Sequence, residues 1–263
     1  MAETNPVETT PAVVPPLPEI SSSSDPRPHL PADIIWPPTQ DELPYDDGVP
    51  METYRHHLQM TLLIESLNLH WGVPRQHFAG GNMFVYFSLA QVKNQDFRGP
   101  DFFAVLDVIP HRERKSWVVW EEGKGPDVVI ELLSDSTAEF DKDEKKLIYQ
   151  DKLRVPEYYW YDPSSGEWAG FVLRDRVYHP LTPDAQGRFI SPALGLALVQ
   201  REGEYQMYGG SWLRWATLDG HLLLSGEELA AQAQAEAAQS RERAERLAAK
   251  LRELGIDPDN LAG

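Results

Sequence analysis

Between Gly125 and Leu133 the sequence reads GPDVVIELL, and this stretch limits the fold more than any other. Side chains alternate between the two faces of a strand, so consecutive apolar residues at Val128, Val129, Ile130, Leu132 and Leu133 require cover on both faces. Such a strand belongs inside a sheet sandwiched between other elements. Glu131 interrupts the run. An isolated carboxylate taken out of water costs several kcal/mol, so Glu131 must be protonated, paired with a base or bound to a cation.

The rest of the chain supplies neighbours for that strand. Apolar or aromatic runs at 83–89, 101–109, 116–122, 157–162, 167–174 and 176–181, bounded by Gly, Pro, Asn or Asp, predict further strands. A first helix is predicted where Tyr54, Leu58, Leu62 and Glu65 follow one row beside Leu63 and Leu67, with a stop at Gly72 and Pro74. The charged segment STAEFDKDEKKLIYQDKL (136–153) predicts a second helix, with Ser136 and Glu139 as a capping box. Helices and strands in this order give an α/β domain over residues 49–225, a mixed central sheet flanked by helices.

Two tails flank that domain. Residues 1–48 are rich in Pro, Ser and acids and hold too few periodic apolar residues for a core, which predicts a largely disordered or polyproline-like segment. Residues 226–263 are rich in Ala, Glu and Arg, with Ala244, Leu247, Leu251 and Leu254 at near-heptad spacing. That predicts a helical, coiled-coil-like tail through which the chain could self-associate; a solvated single helix fits the same residues.

Composition narrows the chemistry. With no cysteine, thiolate metal sites and cysteine nucleophiles are excluded, so a metal would be held by oxygen or imidazole. No apolar run is long enough to span a bilayer, and the acidic, Pro-rich start is unlike a secretion signal, which leads us to expect a cytoplasmic protein. The net charge of −17 opposes broad contact with nucleic acid. Nine acids and one base lie before residue 51, however, and residues 51–225 carry 24 acids and 18 bases, so about half of the excess lies in a tail.

A second GPD, at Gly99 to Asp101, also precedes an apolar run, thirty residues before Glu131. Two connected strands can come side by side over that distance, bringing Asp101 and Glu131 together. Two carboxylates beside a lysine suit a hard divalent ion such as magnesium. Asp141, Lys145 and Tyr149 recur every four residues on the predicted second helix and share one face, making Lys145 the lysine best placed to reach Glu131. Ordinary explanations exist for several residues. Asp101 and Asp127 could be turn residues. Asp141 with Lys145 could be a surface pair, and Tyr149 a packing residue. Asp107 is a rival to Asp101, and Glu52, His56 and His57 could face the site from the first helix.

PDVVIELLSDST, followed by Asp141, Lys145, Tyr149 and VPEYYWYDP, resembles the Uma-two family of restriction-endonuclease-like proteins, within the PD-(D/E)xK nuclease superfamily. The resemblance covers about residues 45 to 180, and the tail ending LRELGIDPD is similar to tails in that family. It implies a restriction-endonuclease-like fold and magnesium- or manganese-dependent cleavage of DNA. Asp101 and Glu131 would be the metal ligands and Lys145 the catalytic lysine. The superfamily's usual lysine, two residues after the acid, is replaced here by Leu133. A competing reading is a catalytically inactive nuclease-like module that binds partners through its tail.

Overall fold

We describe a computed structural model for residues 37–45, 53–73, 76–94, 99–109, 112–134, 144–255 and 257. The capping pair Ser136 and Glu139, together with Asp141, Glu52 and most of the N-terminal tail, lies outside the described residues.

In chain order, helix α1 (Tyr54–Trp71) is followed by strands β1 (His77–Gly80) and β2 (Val85–Tyr86), then helix α2 (Leu89–Asn94). Strands β3 (Phe102–Leu106) and β4 (Trp117–Val118) lead to a single helical turn, α3 (Val119–Glu122), and to β5 (Val128–Leu132). Helix α4 (Lys146–Ile148) widens into π-helical turns over Tyr149–Leu153. Strands β6 (Glu157–Tyr161), β7 (Trp168–Arg174), β8 (Val177–Pro180), β9 (Phe189–Ser191), β10 (Leu196–Tyr205) and β11 (Tyr208–Ala216) precede the long helix α5 (Gly226–Glu253).

The main sheet has six strands in the order β1-β3-β5-β6-β7-β8, with β5 and β6 parallel and every other pair antiparallel. It is a mixed sheet with β5 inside it, and all five residues of β5 are buried. Even-numbered Phe102, Ala104, Val128, Ile130 and Leu132 pack against Leu63 and Leu67 of α1 and against Leu198, Leu213 and Trp215 of the three-stranded sheet β11-β10-β9. Odd-numbered Phe103, Val105 and Val129 face Val85, Trp117 and Tyr149 on the other side. The alternation forces Asp101 and Glu131 onto this second face, which α4 covers.

Three expectations need adjustment. The run 116–122 is a strand only at Trp117–Val118, because the chain then coils into α3 and is closed by Gly123 in a left-handed conformation (φ 82°). The run 83–89 is a strand only at Val85–Tyr86. Residues 37–45, within the segment expected to be disordered, lie against the domain: Leu43 is buried, Trp120 Nε1 donates to the Pro38 carbonyl and Tyr86 Oη to that of Pro44.

Candidate active site

The pairing of β3 with β5 brings the two carboxylates together. The strands run antiparallel with Phe102 opposite Ile130 and Phe103 opposite Val129, so one further step sets Asp101 across from Glu131. The Leu132 amide donates to Asp101 Oδ2 at 2.8 Å, which fixes the aspartate on the neighbouring strand. Gly81 permits this placement, since any Cβ there would overlap the Asp101 carbonyl oxygen.

Helix α4 supplies the other half of the site. Lys145 Nζ donates to Glu131 Oε2 at 3.1 Å, and Tyr149 Oη donates to Glu131 Oε1 at 2.5 Å. Both oxygens of a fully buried carboxylate are therefore occupied by residues one helical turn apart, a cationic donor on one and a neutral donor on the other. The Lys145 side chain is 20% exposed while that of Glu131 is 0%, so the cluster opens to solvent on the lysine side.

The electrostatics are those of a site with one positive charge too few. Burial pushes the Asp101 carboxyl well above the usual carboxylate range, and the adjacent Glu131 charge pushes it the same way. Lys145 and the Leu132 N–H oppose that rise only in part. Two carboxylates this close cannot both ionise cheaply, which favours the protonated form of Asp101. Burial and the Glu131 charge also push the Tyr149 phenol well up, which keeps it a neutral donor.

The remaining candidates separate from the cluster. Asp127 is a structural turn residue: it pairs with Lys124 at 2.7 Å and accepts from the Leu106 amide at 2.7 Å. Asp107 is exposed, in a left-handed turn (φ 55°) at the other end of β3 from Asp101. His56 is buried and donates through Nε2 to the Leu133 carbonyl at 3.0 Å, pinning the chain just after β5. His57 is exposed and stacks beside Tyr54. Leu133 is buried among the core residues. Tyr149, which spacing alone marks as packing, is a direct partner of Glu131. Its place on the Lys145 face was the available signal.

Residues 34–202, a span that holds Asp101, Glu131, Lys145 and Tyr149, match the Uma2 family, described as "Putative restriction endonuclease". The chain belongs to the Uma2 family. Two solved chains are also similar to it, among them a "putative nuclease belonging to DUF820 from Anabaena variabilis ATCC 29413". That similarity is 21% identity over 60% of this chain and 91% of the other, with a TM-score of 0.40. No curated protein matches. The Uma2 span ends within β10 and leaves α5 outside it.

Proposed function

We propose that this Uma2 protein is a metal-dependent endonuclease that hydrolyses DNA phosphodiester bonds, with Asp101 and Glu131 as metal ligands and Lys145 as the lysine that handles the attacking water. The carrying observation is geometric: the β3–β5 register sets Asp101 across from the buried Glu131 with a single lysine beside them, a pair of acids with one cation that fits a further hard cation. Among the described residues no third His, Asp or Glu joins this pair, so water and phosphate oxygens would complete the shell, as magnesium or manganese tolerates.

A bound divalent ion would lower the pKa of a coordinated water and stabilise charge on the phosphate. The protein's part is positional. Tyr149 holds one oxygen of Glu131 and thereby sets the rotation of the carboxylate. Lys145, at the open side, is placed to donate to a water and orient it, and its charge faces the side from which an anionic strand would approach. The same chemistry needs no covalent intermediate. Among the described residues no helix is long and apolar enough to cross a membrane, and this reading sets the enzyme in the cytoplasm.

The test is cleavage of supercoiled plasmid in magnesium or manganese by the wild-type chain beside Glu131→Ala and Asp101→Asn. Activity should require the metal and fall by at least about a hundredfold in each variant. Equal cleavage by all three would place the chemistry elsewhere. A wild-type chain inert in either metal would favour the second reading, a nuclease-like binding module, which the net acidic charge and Leu133 support.

A further inference from the structure

Helix α5 spans 28 residues, roughly 42 Å, and among the described residues its anchoring contacts lie at its base. Ser225 and Glu228 form a capping box, Arg214 pairs with Glu228 at 2.6 Å, and Glu65 accepts from the Gly226 amide. Beyond that base nearly every residue is exposed, including Leu247 at 57% and Leu254 at 73%.

The exposed helix carries an unbroken seam. Ala230, Ala233, Ala237, Ser240, Ala244, Leu247, Leu251 and Leu254 alternate steps of three and four, the heptad spacing that faces a partner helix. The seam is graded, with alanines at the base and leucines at the tip. Charge is graded as well: residues 226–239 hold three acids and no base, while residues 240–254 hold five bases and three acids.

We propose that the chain forms an antiparallel homodimer through α5. Two copies running in opposite directions place the acidic base of each helix against the basic tip of the other, and each Ala230 against the second copy's Leu247. Small then meets large in the outer layers, Ala230 on Leu247, and small meets small in the middle, Ala233 on Ala244 and Ala237 on Ser240, so no layer stacks leucine on leucine. A parallel pair would stack alanines on alanines at one end and leucines on leucines at the other, and the helices would have to splay. In the antiparallel register Glu236 of each copy flanks Arg243 of the other.

A second feature fits the same occupant. At the base of α5 lies a hollow of about 190 Å³ lined by Ser66, Leu69, His70, Leu222, Leu224 and Leu229. Leu69 and Leu229 are 45% and 41% exposed there. The register that pairs residue 230 with 247 brings the second copy's Leu251 and Leu254 to this end. The hollow is the seat for that apolar tip.

The absence of native cysteine allows a direct test in the full chain. The wild-type protein should have twice its 29.8 kDa mass in light scattering. Leu247→Glu with Leu251→Glu should halve that mass, with circular dichroism showing the fold retained. Ala230→Cys and Leu247→Cys chains, treated with a short bismaleimide, should cross-link when mixed and not when alone. In the antiparallel pair identical positions lie roughly 25 Å apart. A monomeric wild-type chain, or a dimer unmoved by the double substitution, would overturn the proposal. Cross-links within each single variant but none across the mixture would overturn the antiparallel arrangement.

Discussion

Asp101 and Glu131 hold their positions at an energetic cost that a bound cation would lower. Asp101 beside Glu131 must either hold a proton at pH 8 or ionise next to a like charge, and Asp101→Asn avoids both costs while keeping an acceptor for the Leu132 amide. Without metal, this variant should therefore melt about 2–4 °C higher than wild type at pH 8, corresponding to roughly 1 kcal/mol. Magnesium should raise the melting temperature of wild type and leave that of the variant unmoved. A different buried acid tests burial without any metal. Glu157 accepts from Ser191 Oγ, the Ala193 amide and Tyr159 Oη, yet burial still pushes its carboxyl up from its ordinary value of 4.5. Because its folded pKa is raised, its contribution is fully present below about pH 4.5 and is lost as pH rises through the folded value. Glu157→Gln should accordingly gain on wild type as melting is measured from pH 4.5 upward; a constant difference would show that Glu157 titrates normally.

At the scale of elements, α1 does more than cover the sheet. Strand β11 has one free edge in the three-stranded sheet, and α1 closes it with side chains. Gln59 donates to the Leu213 carbonyl at 2.8 Å and accepts from the Leu213 amide at 2.9 Å, standing in for a neighbouring strand. Arg55 reaches the Ser211 carbonyl and lies over the Trp212 ring at 4.3 Å. Gln59→Leu would strand two buried backbone groups and should cost about 2–4 kcal/mol, read as a lower urea midpoint. None of this was legible in sequence, since a glutamine beside a leucine on a helix gives no hint of the edge it serves. The site was more legible. Alternation along two strands and a four-residue helical row suffice to bring Asp101, Glu131, Lys145 and Tyr149 together. The three strands after residue 188 were missed because polar residues interrupt β10 and glycines open β11, which blurs the two-residue period.

Across the whole molecule, charge sets the terms on which DNA could be held. A chain with net charge −17 offers few sites for phosphate neutralisation, so binding should depend on a divalent ion at the acid pair. Duplex DNA should not bind measurably in a chelator at roughly 0.15 M salt. It should bind when calcium, an ion with oxygen-ligand preferences like those of magnesium, is present, and binding retained in the chelator would argue for a metal-independent surface. The antiparallel tail would hold two such sites at opposite ends of one rod.

Whether Asp101 and Glu131 hold a cation is decided by calorimetric titration of manganese into the metal-free protein. Wild type should bind with release of a proton, while Asp101→Asn and Glu131→Gln should each lose that binding. Binding of equal strength in all three, or none in wild type, would show that Asp101 and Glu131 do not form a cation site.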